Sequence, residues 1–255
     1  YFKKNNQKFF SKKFKINEPS LFSKTNIVFL FLGLFLAVGF DFDLYFSSLF
    51  YLFSLDTVIT IYGESIIFID HLKSGFYLEN HHTLSIVFRK IFLPFLILYI
   101  FVLPVVGLVV PMKIFFFNHR FLFREIVYVY FSGFLSLILL VNGVFKGLWG
   151  RGRPNEVVDF GGVDIFTAWF KVSQSCETNC SFVSGDASVG FAMIVFYLIT
   201  KKSVFIYLSV ISGMSLGFIR IIAGGHFLSD IIFAQIVVTS SMFLCFMIYK
   251  KIWND

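Results

Sequence analysis

The sequence predicts an all-α, polytopic membrane protein: six transmembrane helices in a bundle, with a candidate active site at the non-cytoplasmic helix ends. Three observations predict it. Of 255 residues, 57% are hydrophobic and only 15% charged, with 39 phenylalanines, against about 25% charged in ordinary soluble domains. Several apolar runs approach the ~20 residues a spanning helix needs. The basic residues also sort by side of the membrane. The mean hydropathy of +0.81 excludes a disordered chain, a disulfide scaffold and a soluble globule.

The spans follow in chain order. Residues 25–40 form a short first span that stops at Asp41. Residues 91–112 carry no charge before Lys113 and give the second. Residues 126–145 give the third, and 187–200, extended back to about Ser184, the fourth. Residues 203–219 and 231–249 complete the set. Between the first two, 41–90 reads as an interfacial segment, because Asp41 and Asp43 alternate with bulky apolar groups. Within it, 57–70 holds Glu64 and reads as interfacial or re-entrant, with a seventh span as the rival. The run from Ile27 follows a long basic segment and lacks a small-residue cleavage site, so it reads as a signal anchor. The organisation is then a basic cytoplasmic leader, 1–24, and a six-span domain, 25–252, with its largest hydrophilic insert at 146–183.

Lys and Arg set the orientation. The side holding both termini carries fourteen of the 22 basic residues, including Lys3, Lys4, Lys113, Arg120, Arg124, Lys201 and Lys250. Its acidic residues are Glu18, Glu125 and Asp255. This side is therefore cytoplasmic, and the insert 146–183 faces the other way. The net charge of +7 is a topology signal with attraction to anionic lipid, and no base-reading chemistry accompanies it, so nucleic acid is not an expected partner.

Ionisable residues at membrane depth are costly and tend to be functional. They gather here at one set of helix ends. Lys146 ends the third span, and Arg151 and Arg153 follow before Pro154. Asp186 lies in the first turn of the fourth span, Arg220 near the end of the fifth, and His226 and Asp230 open the sixth. Lys146, Arg153 and Arg220 make a triple-positive pocket whose guanidinium forks suit phosphate oxygens. Ser184 and Gly185 open a helix, whose N-terminal N–H groups favour an anion. His226 and Asp230 are four apart, hence on one helical face, where a carboxylate can fix the imidazole tautomer. A phosphate pocket with an oriented histidine is apparatus for phosphoryl transfer. Taken singly, each feature has a plainer reading: basic side chains snorkel to headgroups, His–Asp pairs are often structural, and Ser-Gly caps helices. Their joint occurrence on one side of the membrane carries the argument.

Those residues resemble the three motifs of the type 2 phosphatidic acid phosphatase superfamily. Lys146-GLWGRG-Arg153-Pro154 matches the first, a lysine six residues before Arg-Pro. Val183-Ser184-Gly185-Asp186 stands where the second has Pro-Ser-Gly-His, and Ile219-Arg220-IIAGG-His226-FLS-Asp230 where the third has Ser-Arg, then His and Asp. The resemblance covers about 126–248 by motif. The segment from Asp43 to Tyr51 is also similar to bacterial members, less specifically. The resemblance implies a metal-independent and cofactor-free lipid phosphate phosphatase of the bacterial inner membrane, facing the periplasm, and is weakly similar to lipid A phosphatases. It implies His226 as nucleophile and Asp230 as its orienting partner. Lys146, Arg153, Ser184, Gly185 and Arg220 would bind phosphate. Asp186 takes the place of the family's proton-donating histidine. Cations favour a charged carboxylate and burial disfavours it, so Asp186 as acid, as orienter of water and as holder of Arg220 all stay open.

The implied partners are a lipid phosphate and membrane lipids, with no obligate protein partner. A phosphotransferase on the same scaffold and a non-catalytic lipid-binding protein remain alternatives. Cys176 and Cys180 lie in the non-cytoplasmic insert, where a disulfide and two thiols are both open, and Cys245 reads as packing. His81 and His82 read as interfacial loop rather than metal site, and His71 and His119 carry no motif. Arg151 reads as an aid to substrate binding, off the motif positions.

Overall fold

In a computed structural model, the chain is described at residues 26–29, 31–32, 42–52, 58–61, 64–67, 75–77, 86–109 and 121–253. The leader, most of the first predicted span, the loop before residue 121 and His71, His81, His82 and His119 lie outside the described residues. A short helix, α1 (Phe42–Ser48), comes first. Strand β1 (Tyr51–Leu52) pairs antiparallel with β4 (Gly75–Phe76), and β2 (Val58–Ile61) pairs with β3 (Glu64–Ile67). The seventh span that rivalled an interfacial 57–70 is thereby corrected: two four-residue antiparallel strands cannot form a membrane-crossing helix.

Among the described residues, four helices are long and apolar enough to cross a membrane: α2 (Phe88–Val109), α3 (Phe123–Leu148), α6 (Val204–Ile222) and α7 (Leu228–Trp253). The shortest has 19 residues, or about 28 Å at 1.5 Å per residue, close to a hydrocarbon core of about 30 Å. Their free faces are apolar. Ile91, Phe95, Leu98 and Val109 are exposed on α2, and Phe131, Phe134 and Ile138 on α3. Apolar surface of this extent is unfavourable against water and suits lipid. The second half of α3 winds wide, as a π-helix over Phe134–Phe145, and the Asn142 side-chain amide bonds the Leu137 carbonyl at 2.7 Å.

The expected fourth span departs from a continuous helix. It breaks at Ala192 and Met193 into α4 (Gly185–Phe191) and α5 (Ile194–Thr200). The break leaves backbone carbonyls without their helical partners, and these need donors when buried. Hydroxyls of α6 supply them: Ser209 donates to the Phe191 carbonyl at 2.6 Å and Ser212 to the Gly190 carbonyl at 2.9 Å. The two helices touch because both are small at the crossing. A Cβ on Gly190 would come within 2.5 Å of the Gly213 backbone, the close approach that small residues allow between membrane helices.

Helix α7 packs against α1, α3, α4, α5 and α6. Polar side chains tie it to its neighbours. Tyr128 donates to the Met242 carbonyl, the Ser136 and Ser241 hydroxyls pair at 2.7 Å, and Gln235 and Thr239 donate to Asn26. A second, smaller cluster of Phe76, Val157, Phe160 and Phe227 sits beside the turn between α6 and α7. There Gly224 has φ +66°, and a Cβ on it would strike the Phe76 ring. That turn delivers residue 226 to its place.

Candidate active site

The ends of α3, α6 and the starts of α2, α4 and α7 lie at one end of the bundle, and the predicted residues meet there. Lys146 sits near the end of α3. Its Nζ donates to Asn179 Oδ1 at 3.0 Å, and Arg153 donates to the Asn179 carbonyl at 2.7 Å. Asn179 adopts φ +52° inside the five-residue ring closed by a Cys176–Cys180 disulfide. One residue thus holds two of the three predicted phosphate-binding cations. Gly185 matters for a steric reason: a Cβ there would stand 3.3 Å from Lys146 Nζ, so the glycine lets the ammonium lie against the start of α4. Gly225 plays the same part for Arg220, whose guanidinium would collide with any Cβ on it. The Ser184 hydroxyl is buried and has no hydrogen-bond partner.

His226 is 2% exposed. Its Nδ1 lies 2.7 Å from the Ser181 carbonyl, and 3.6 Å from Asp230 Oδ2. A carbonyl only accepts, so Nδ1 carries the proton and Nε2 keeps its lone pair. The expected direct bond from Asp230 to the imidazole is replaced by a backbone contact, because Asp230 is engaged elsewhere. Its Oδ2 accepts from the Ser181 hydroxyl and from the Phe227 N–H at 2.8 Å, and its Oδ1 accepts from Arg151 at 2.6 Å. Burial pushes the His226 imidazole down to about 4, with the positive charges of Arg220 and Lys146 pushing the same way and Asp230 opposing. Burial thus favours the neutral imidazole.

Arg151 is the largest correction. Read as an aid to substrate binding, it is fully buried beneath the site. It bonds Asp230, Asp43 Oδ2 at 2.9 Å, the Ser229 hydroxyl at 2.8 Å and the Thr167 carbonyl at 2.9 Å. Four of its five N–H groups are engaged by the protein, so it is a positioning residue. Burial disfavours its charge, but Asp230 and Asp43 outweigh burial and raise the guanidinium above its usual value. Asp43, in the segment read as interfacial, turns inward: it is buried and also accepts from the Ser229 backbone at 3.0 Å and from the Ser229 hydroxyl.

Asp186 Oδ2 stands 3.6 Å from Arg220 Nε and 3.3 Å from Arg89 Nε. Of the three roles left open by the sequence, this geometry matches the holder of Arg220. Arg89 was missed. Its signal was topological: in a six-span layout the second helix starts on the side where the third ends, so residue 89 shares a layer with Lys146. Among the described residues no group of three His, Cys, Asp or Glu side chains is placed to hold a metal ion.

The described residues thus form a helical bundle with four helices long and apolar enough to cross a membrane, and at one set of helix ends a buried histidine lies near cationic side chains. The chain belongs to the PAP2 superfamily, whose family match runs over residues 126–254. It is similar to a lipid A 4'-phosphatase of Francisella tularensis subsp. novicida (strain U112), 43% identical over 118 residues, covering 44% of this chain and 53% of that protein. It is also similar to a lipid A 4'-phosphatase of Rhizobium leguminosarum, 35% identical over 98 residues, covering 37% of this chain and 42% of that protein. The chain thus spans about half the length, or less, of these curated relatives. No solved structure matches it.

Proposed function

We propose that this chain is a membrane-embedded lipid phosphate phosphatase that works through a phosphohistidine on His226. The observation that carries the reading is the tautomer: Nδ1 is committed to the Ser181 carbonyl, which leaves Nε2 free for attack on phosphorus. In the first step the Nε2–P bond forms, the P–O bond to the lipid breaks, and the departing oxygen takes a proton from solvent water. In the second, water attacks the phosphohistidine, the Nε2–P bond breaks and the attacking water gives up a proton to solvent, releasing inorganic phosphate and restoring the imidazole. Lys146, Arg153 and Arg220 neutralise the phosphoryl oxygens, the Ser184 hydroxyl supplies a free donor, and Gly185 keeps the approach open. Such preorganised donors are worth several kcal/mol in a water-poor site. Asp230 positions His226 through Ser181. Asp186 Oδ2 faces two guanidiniums and acts there as a counter-charge rather than as the acid.

The substrate is a lipid bearing a phosphomonoester, of the lipid A kind on the strength of the relatives' names. An apolar groove of about 340 Å³ between α2 and α6 supports a lipid, since Phe88 lines it beside Arg89 and Met193 reaches into it. In this reading six spans cross a bacterial inner membrane, with 1–24 and both termini cytoplasmic. The domain 25–252 then presents the 146–183 insert and the site to the periplasm. The test is phosphate release from a panel of lipid phosphates, lipid A included, by wild type and His226→Ala. Release that requires His226 supports the reading, and no release from any lipid would sink it.

A further inference from the structure

Arg89 lies in the first turn of α2, outside every motif the sequence offers, and its side chain is half exposed. A basic residue at such a helix end ordinarily reaches outward to headgroups. This one turns its Nε inward to Asp186 Oδ2 at 3.3 Å, on the same oxygen that Arg220 approaches at 3.6 Å. Neither the Asp186 Oδ2 atom nor Arg220 Nε makes a hydrogen bond of good geometry, although both are buried. The carboxylate is therefore held by charge and not locked by directed bonds. The charge balance points the same way. Asp230 and Asp43 are engaged by Arg151, whereas Asp186 is the carboxylate that faces Arg220.

We propose that Arg89 is a fourth phosphate-binding cation, and that Asp186 competes with the substrate's phosphoryl oxygens for the guanidiniums of Arg89 and Arg220. The proposal rests on the phosphate-site reading above. A carboxylate and a phosphate present similar oxygen acceptors to an arginine fork, so one can replace the other on the same donors. An incoming phosphoryl group takes the forks and Asp186 rotates away. When phosphate leaves, Asp186 returns to the guanidiniums. The device favours release of product, because the cations regain a partner when the anion departs. It also gives a physical role to aspartate at the position where the resembled motif has histidine.

The test is a double-mutant cycle read by inorganic phosphate binding, measured by titration calorimetry on the detergent-solubilised full chain. The four proteins are wild type, Arg89→Gln, Asp186→Asn and the double variant. A charge-assisted bond to arginine supports an expected change of about 10-fold or more in Kd. Asp186→Asn should tighten phosphate by about that factor, since the competitor loses its charge. Arg89→Gln should weaken phosphate by a similar factor in the Asp186→Asn background, where no carboxylate is left for Arg89 to act through. An unchanged Kd on adding Arg89→Gln to Asp186→Asn would reduce Arg89 to a tether and overturn the first half. An unchanged or weaker Kd for Asp186→Asn would overturn the competition. Arg89→Lys keeps the charge and loses the fork, and its partial recovery of affinity excludes misfolding as the cause. Turnover of lipid phosphates by the same wild-type preparation separates the two readings. Turnover with no Arg89 effect overturns this proposal alone, whereas the Arg89 effects without turnover overturn the phosphatase reading alone.

Discussion

His226 Nδ1 lies 2.7 Å from the backbone carbonyl of Ser181, and the Asp230 carboxylate, 3.6 Å from the same nitrogen, accepts a hydrogen bond from the Ser181 hydroxyl. Ser181 therefore joins the imidazole to the carboxylate with both of its oxygens. Ser181→Ala keeps the carbonyl and deletes the bridge. The expected outcome is a fall in kcat of about 10-fold with KM little changed, because a hydrogen bond to a charged group is worth about 1.5–3 kcal/mol and only part of it bears on the transition state. Steady-state kinetics on a lipid phosphate check it.

The buried imidazole makes stability depend on pH. His226 sits at about 4 in the fold, below the ordinary value of about 6.5. Between those values the unfolded chain binds more protons, so stability rises with pH there. The contribution is complete above about 6.5 and is lost as pH falls toward 4, by about 1.4 kcal/mol per pH unit. His226→Asn keeps a polar side chain that does not titrate. The wild-type minus variant difference in thermal unfolding should shrink as pH drops from 6.5 to 4, and a flat difference would contradict the buried neutral ring.

Arg151 holds two carboxylates from segments far apart in the chain, Asp43 and Asp230. Arg151→Ala leaves both buried and uncompensated, a loss of roughly 3–5 kcal/mol for a broken buried pair. Arg151→Lys keeps the charge but not the fork that meets four acceptors, so it should recover only part. Unfolding temperature and the yield of folded protein in detergent check both, and a wild-type Tm for Arg151→Ala would contradict the assignment.

Asn179 aligns Lys146 and Arg153 with its side chain and its carbonyl. Asn179→Ala removes the side-chain contact alone. The expected outcome is a several-fold rise in KM with kcat less affected, since Lys146 loses its preset position, and Asn179→Asp, which keeps an oxygen there, should restore much of it. Opening the ring with Cys176→Ala and Cys180→Ala should act in the same direction by freeing residue 179 from its left-handed backbone.

Much of this was legible in the sequence because membrane helices are written locally. The run that became α2 is apolar from residue 91 onward, and Lys146, Arg153, Arg220 and His226 stand at the spacings of known motifs. What was not legible depends on distant partners. The break at Ala192 persists because Ser209 and Ser212 of another helix satisfy its carbonyls. The role of Arg151 needs Asp43, more than a hundred residues earlier, which no local pattern connects. The tie from Asp230 to His226 runs through Ser181, in the insert before α4, so the i,i+4 spacing alone suggested a direct bond. Arg89 was hidden in a segment whose mixed composition read as interface, although helix parity already put it in the right layer.

The proposed mechanism requires that His226 becomes phosphorylated. Rapid quenching of wild type during turnover of a lipid labelled in its phosphate tests it most directly. Label is expected on the peptide carrying His226, stable to base and lost in acid, and none in His226→Ala. Turnover with no label at His226, or turnover that survives His226→Ala, would contradict it.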